Sequence, residues 1–217
     1  MNISWKGQSC FQIQLSSNKN GAYSIVIDPF DQKTGLSVSK LQADVLLITH
    51  DHDDHNNTKA VTGDYFKIDG PGEYDIGSSF IEGIFSYHDN SNGEEHGINT
   101  IYTIETEDIK LCHLGDLGQK ELTADQLNTI GNIDILMIPI GGTYTINASE
   151  AIKIMSSIEP KIIIPMHYNI PGLKIKLEGI EPFLKELGIK NAEVLPKLVI
   201  KRKDISENEV KIIQLQP

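Results

Sequence analysis

Thr49-His50-Asp51-His52-Asp53-Asp54-His55 directly follows Ala43-Asp44-Val45-Leu46-Leu47-Ile48, an apolar, β-branched run that predicts a buried strand. A strand ending this way releases four potential metal ligands, His50, His52, Asp54 and His55, where the backbone turns. In an extended segment residues two apart share a face, so His50 and His52 can converge on one ion. If the chain then turns, Asp54 and His55 can address a second ion nearby. Imidazole and carboxylate together suit zinc, with manganese or iron as alternatives. A solvated acidic turn is the plain alternative, and it fits poorly with so dense a cluster after a buried strand.

The chain that carries this cluster has 217 residues, 39% hydrophobic and 23% charged, which predicts a folded, soluble core. No apolar run is long enough to span a bilayer, and Met1-Asn2-Ile3-Ser4-Trp5-Lys6-Gly7 lacks a signal-peptide core, so no membrane partner is expected. Cys10 and Cys112 read as buried, reduced thiols of a cytoplasmic protein. The formal charge of -11 and the single arginine, Arg202, oppose a nucleic-acid partner, because polyanion binding relies on Lys and Arg. Lys201-Arg202-Lys203 reads as a solvated edge.

Upstream of the ligand strand, residues 2 to 28 read as strands, with a turn at Ser17-Asn18-Lys19-Asn20-Gly21 and a stop at Pro29. Asp28 ends one of these strands; its carboxylate can cap the next turn or orient a metal ligand from behind. Lys33 to Leu41 reads as a polar connection. Downstream come Tyr65 to Ile68, a turn over Asp69-Gly70-Pro71-Gly72-Glu73, and a strand from Ser79 to His88. Asp89 to Gly97 reads as the most mobile loop, having little to bury. Ile98 to Ile104 and Ile109 to Leu114 predict paired strands. Helices are predicted from Thr123 to Ile130, from Asn147 to Ile158 and from Ile180 to Leu187. Strands are predicted over Ile133 to Ile138, over Lys161 to Pro165 and within the tail from Val194 to Leu215. Without repeat or linker, residues 1–217 read as one domain, two sheets covered by helices on their outer faces.

Two ions need more ligands than the opening cluster supplies. His88 and His167 fall at strand ends, and Asp116 sits between glycines in Leu114-Gly115-Asp116-Leu117-Gly118, where its two oxygens could bridge two ions. The order His50-x-His52-x-Asp54-His55, Gly115-Asp116 and His167, with Asp28 in Ile27-Asp28-Pro29, resembles the metallo-β-lactamase superfamily. Within it the chain is most similar to the compact ascorbate-phosphate-lactonase-like hydrolases, on Gly70-Pro71-Gly72-Glu73-Tyr74, Ile140-Gly141-Gly142-Thr143-Tyr144-Thr145 and Ile164-Pro165-Met166-His167-Tyr168. The resemblance implies a four-layer αββα sandwich of α/β class. It implies one metal site from His50, His52 and His88, and a second from Asp54, His55 and His167, with Asp116 and a water bridging them. His113 competes with His88 for the first site; the strand-end position favours His88. His96 reads as exposed or as a substrate contact.

Two divalent cations sharing one water make hydroxide available at neutral pH and polarise a carbonyl or phosphoryl oxygen. The expected reaction is hydrolysis of a small ester, lactone, amide or phosphodiester. Asp54 and Asp116 are the catalytic candidates, Asp54 or a site-bound water to handle protons and Asp116 to bridge. Backbone N–H groups at Gly141-Gly142 could meet a substrate anion, and the metals are expected to be the only cations of the site. A metal-dependent nuclease, a di-iron redox protein and a metal-stabilised binding module without activity are the rival readings.

Overall fold

The computed structural model describes residues 1–16, 23–206 and 209–217; the turn expected at Ser17–Gly21 lies outside them. The first half of the chain forms β1 (Asn2–Trp5), β2 (Phe11–Gln14), β3 (Ser24–Ile27), β4 (Leu41–Gln42), β5 (Val45–Leu47), β6 (Val61–Thr62), β7 (Phe66–Ile68), β8 (Gly72–Ile76), β9 (Ser79–Tyr87) and β10 (Ile98–Thr106). The second half forms β11 (Ile109–His113), β12 (Ile135–Pro139), β13 (Ile162–Met166), β14 (Glu193–Leu195), β15 (Leu198–Val199) and β16 (Lys211–Leu215). Between them lie helices α1 (Ala124–Ile130), α2 (Ala148–Ile158) and α3 (Glu181–Glu186).

The strands assemble into a six-stranded sheet, β15-β1-β2-β3-β5-β7, and an eight-stranded sheet, β14-β16-β13-β12-β11-β10-β9-β8. Period-two alternation divides the six-stranded sheet cleanly. Ile25, Ile27, Val45 and Leu47 enter the main core with Ile81, Ile101, Leu111 and Met137 of the other sheet. Val26 and Leu46 point the opposite way, into a smaller cluster with Phe30, Leu41, Ala43 and Val61. Being covered on both faces, β3, β5, β12 and β13 are buried at every position, and so appear in the sequence as unbroken apolar runs.

Helices α1 and α2 lie against the eight-stranded sheet, α1 on β9 and α2 on β12, and α3 packs on α2. Both α1 and α2 open on reciprocal capping boxes, Thr123 with Gln126 and Asn147 with Glu150. The outer face of the six-stranded sheet is covered more thinly. The Lys33 to Leu41 connection carries a 3-10 turn at Gln32–Thr34 and then β4, which pairs with β6 as a separate two-stranded sheet. The sandwich thus has the expected two-sheet centre with flanking helices, and short segments in place of long helices on one side.

One expected turn is a strand. Gly72-Glu73 opens β8, the edge of the eight-stranded sheet, in which no residue is fully buried. An edge strand with both faces partly wet carries no apolar alternation by which to read it.

Candidate metal centre

The candidate residues follow directly on the carboxyl ends of strands. Asp28 follows β3, His50 to His55 follow β5, His88 follows β9, Asp116 follows β11 and His167 follows β13. β3 runs parallel to β5, and β11, β12 and β13 are mutually parallel. Because β10 is antiparallel to both β9 and β11, β9 shares their direction. Five chain segments therefore deliver their side chains to one edge of the sandwich.

There the side chains form two groups. His50, His52 and His88 offer ligand atoms within 4.8 Å of one another, and so do Asp54, His55, Asp116 and His167. Asp116 Oδ2 lies 3.1 Å from His55 Nε2, 3.2 Å from His167 Nε2 and 3.5 Å from His88 Nε2. One carboxylate oxygen is thus within reach of both groups. Its other oxygen accepts a hydrogen bond from Ser9 Oγ at 3.0 Å.

Behind the histidines sits Asp28, fully buried and held in the left-handed region at φ 46°. Such a backbone costs a non-glycine residue about 1–3 kcal/mol, and the carboxylate is used three times. It accepts from Thr49 N at 2.8 Å, from Thr49 Oγ1 at 2.7 Å and from His55 Nδ1 at 2.9 Å. A carboxylate only accepts, so His55 carries its proton on Nδ1 and turns Nε2 toward Asp116. Thr49 has spent its single hydroxyl proton on Asp28, so its oxygen accepts from His50 Nδ1 at 3.0 Å. The same proton inventory thereby leaves His50 Nε2 as a free lone pair facing the site.

His113, the rival to His88, is committed elsewhere. Its Nε2 donates to Ser9 O at 2.9 Å and its Nδ1 accepts from Gly115 N at 3.1 Å. Both ring nitrogens are used in holding the Ser9 turn against the Gly115 turn, and His113 belongs to neither ligand group. His88→Ala should therefore remove metal from one site with little loss of stability. His113→Ala should leave metal content intact and lower stability by about 1–3 kcal/mol, the cost of stripping buried groups of a partner. Metal analysis and denaturant melts of the two variants check this, and the opposite pattern would reverse the assignment.

Several supporting residues gave no signal in the sequence. Asn99, fully buried, accepts from Asp116 N at 3.0 Å and donates to Leu114 O and Ser86 Oγ, fixing the turn that presents Asp116. A Cβ on Gly118 would meet His88 O and Asp89 N at 2.4 Å, so the absence of a side chain there lets the Asp116 turn close against His88. Gln8 O accepts from His167 N at 3.1 Å. The loop from Asp89 to Gly97, expected to be mobile, is wound around the buried Asp89 carboxylate, which accepts from the backbone N–H groups of Ser91, Gly93, Glu95 and His96.

Charge reinforces the grouping. Burial, with the His55 charge beside it, pushes the His50 pKa far down, and burial likewise lowers that of His88, so both imidazoles are neutral and ready to ligate. Burial opposes charge on Asp116 as well, but His167 and His55 outweigh it and hold the carboxyl well below its usual range. His55 is the counterpart: against the effect of burial, Asp116 and Asp28 raise it well above the usual imidazole value.

The groups open into a cavity of about 530 Å³. His96 is half-buried on its wall, between His88 at 5.4 Å and Tyr144 at 5.8 Å between ring centroids. Lys33, Lys174 and Lys176 also line the cavity, which corrects the expectation that metals would be its only cations. His50 Nε2 is buried without a hydrogen-bond partner. Leaving such an atom unpaired costs about 1–3 kcal/mol, and with the Nε2 atoms of His55, His88 and His167 gathered around the Asp116 carboxylate it belongs to a donor set suited to divalent cations.

Residues 2–167 match a family model described as a β-lactamase superfamily domain. A UPF0173 metal-dependent hydrolase from Staphylothermus marinus is 31% identical over 198 residues, covering 77% of this chain and 83% of that protein. A crystal structure of a Thermotoga maritima protein from the metallo-β-lactamase superfamily superposes with a TM-score of 0.78 at 36% identity, covering 99% of each chain. Igni18, a metallo hydrolase from Ignicoccus hospitalis, shares the fold at a TM-score of 0.66 and 20% identity, over 92% of this chain and 99% of its own.

Proposed function

The chain belongs to the metallo-β-lactamase superfamily, and on that premise we propose that it is a metal-dependent hydrolase of a small ester, lactone, amide or phosphodiester. The observation that carries the proposal is the pair of ligand groups sharing Asp116 Oδ2 at the mouth of a cavity. His50, His52 and His88 would hold one ion, and Asp54, His55 and His167 a second, with Asp116 reaching both. Two divalent ions supply Lewis acidity and bring the ionisation of water toward neutral pH. The imidazole-rich donors favour zinc over manganese or iron.

The protein's own groups do the rest. Thr49 fixes the tautomer of His50 and Asp28 the ring orientation of His55, so the Nε2 atoms of both face the site without reorientation. Asp54 retains 23% side-chain exposure, and its Oδ2 lies 3.4 Å from Gln8 Nε2; it is the carboxylate placed to pass a proton between cavity and solvent. His50, His55, His88, His167 and Asp116, by contrast, are buried and hold position, while His52 is exposed to the cavity.

Residues 1–217 act as one unit in this reading, supported by a single main core that runs from Met1 to Leu215. Among the described residues no helix is long and apolar enough to cross a membrane. Cys10 and Cys112 are buried free thiols, which supports a reducing, cytoplasmic setting. The formal charge of -11 supports a small molecule as substrate rather than a nucleic acid.

Purified protein reconstituted with zinc should carry about two ions per chain. It should hydrolyse at least one member of a panel of esters, lactones, amides and phosphodiesters, and lose that activity on chelation. Elemental analysis without bound metal, or a metal-loaded protein inert across the panel, would reject the proposal.

A further inference from the structure

We infer that the two ions are held unequally: the group of Asp54, His55, Asp116 and His167 fills first, and the Gln8-Ser9 turn makes it the tighter. The inference deepens the hydrolase reading above, on which it rests, by assigning the order in which that site fills.

The two groups differ in charge. One contains two carboxylates, whereas the other, His50, His52 and His88, offers imidazoles alone. A dication taken out of water among imidazoles keeps an uncompensated charge, which carboxylates offset. Asp116 is within reach of both groups but leans toward its own. Its Oδ2 is 3.1 Å from His55 Nε2 and 3.2 Å from His167 Nε2, against 3.5 Å from His88 Nε2. Once that oxygen is engaged, an ion entering the imidazole group meets three rings and a neighbouring cation.

The groups differ also in how firmly their members are held. His52 is exposed, and among the described residues no hydrogen bond fixes its ring; its contacts are the rings of His50 and His88. Binding has to order that side chain, at a cost in conformational entropy. In the carboxylate-bearing group no member is exposed. Asp28 fixes the His55 ring, while Asp116 is held at Oδ1 by Ser9 Oγ and at its backbone N–H by Asn99.

Gln8 and Ser9 belong to neither group, yet they reach three of the four members of the carboxylate-bearing one. Gln8 is fully buried and sits in the left-handed region at φ 50°. Its carbonyl accepts from Trp5 Nε1 at 2.8 Å and from His167 N at 3.1 Å, and its Nε2 donates to Asp54 Oδ2 at 3.4 Å. A reversed amide would set Gln8 Oε1 against the Asp54 carboxylate, so the donor faces it. Ser9 Oγ donates to Asp116, and Ser9 O accepts from His113 Nε2 at 2.9 Å, which anchors the turn. Among the described residues neither Gln8 nor Ser9 is hydrogen-bonded to His50, His52 or His88. The turn therefore braces one ion site and not the other, and a braced donor set binds with less ordering cost.

Where metal is scarce the protein then carries one ion. The two-ion form, with any chemistry that needs it, appears as free metal rises through the weaker dissociation constant.

Zinc titration of metal-free protein against a chelating indicator tests the order of filling. Wild type should bind in two steps at least about tenfold apart in affinity. His52→Ala should lose the weaker step and keep the tighter, and Asp54→Ala should do the reverse. Gln8→Met keeps the length of the side chain without its N–H, and Ser9→Ala removes only the hydroxyl. Each should weaken the tighter step about 10–100-fold and leave the weaker one within about threefold. Denaturant melts of the metal-free variants check folding; if one is unfolded, the other decides. Two equal steps in wild type, or loss of the tighter step in His52→Ala, overturn the order of filling. A tighter step unchanged in the folded turn variants overturns the role of the turn. None of these measurements uses a substrate. Unequal steps in a protein inert toward the hydrolase panel reject the hydrolase and keep the order of filling, and turnover by a protein that fills both sites together does the opposite.

Discussion

Asp116→Asn should remove most of the hydrolase activity and reduce bound zinc from about two ions per chain to one or fewer. The variant preserves the size of the side chain, and Ser9 Oγ can still donate to the remaining oxygen. What it changes is the atom facing His55, His167 and His88, now 3.1, 3.2 and 3.5 Å from Asp116 Oδ2. With the amide nitrogen at that position a donor replaces the shared acceptor; in the flipped orientation a neutral oxygen remains there and the amide donates to Ser9 Oγ. Either way a buried negative charge disappears from a site built to hold two cations. Residues that merely stand behind metal ligands are worth about 10–100-fold in metal affinity or activity, and one within reach of both ions should exceed the upper end of that range. Metal content and kcat/KM measured on the same preparation decide the matter. A variant that keeps two ions and activity within threefold of wild type would show that Asp116 does not join the two groups.

Asp28→Ala should cost about 3–5 kcal/mol of stability, the range found when one member of a buried charged pair is removed. It should also weaken metal binding by about 10–100-fold. Three donors lose their acceptor at once, namely Thr49 N, Thr49 Oγ1 and His55 Nδ1. The effect reaches His50 as well: with Asp28 gone the Thr49 hydroxyl is free to rotate and donate to His50 Nδ1, which would move the ring proton to Nε2. Denaturant melts of metal-free protein measure the first loss, and competition with a chelator of known affinity measures the second. A purely structural role would lower stability with metal affinity unchanged; that outcome would remove Asp28 from the account of the metal centre.

How far these residues can be read from the sequence depends on how local their signals are. His50, His52, Asp54 and His55 stand out because four donors crowd into six positions after Val45-Leu46-Leu47, a strand buried on both faces. The same double burial makes Ile135–Pro139 and Ile162–Met166 plain as strands, and the capping boxes mark α1 and α2. Ser9, Thr49, Asn99 and Gly118 show nothing of the kind. Ser9 meets Asp116 across 107 positions and Asn99 across 17, and a lone Ser or Asn has no periodicity to betray such a contact. Lys174 and Lys176 join the cavity only because the 172–174 segment folds back on the Gln32–Thr34 turn. The edge strand β8 and the small β4-β6 pair escape notice for the opposite reason: each is short, and a wet face leaves no apolar pattern.

Placing the ligands on the rims of both sheets makes any bound ion a cross-link. His50 to His55 belong to the β5 end of one sheet, while His88, Asp116 and His167 belong to the other. An ion held by both fastens chain segments that are otherwise joined at that edge by packing, hydrogen bonds and the His55–Asp116 ion pair, and it closes long loops of the unfolded chain in the manner of a disulfide. Unlike a disulfide, this fastening obeys mass action. Each tenfold rise in free metal above the dissociation constant adds about 1.4 kcal/mol of stability per site. The resistance of the fold to heat and proteolysis is thereby coupled to the metal supply around it, and starvation for metal would loosen the sandwich first at the edge where its chemistry is done.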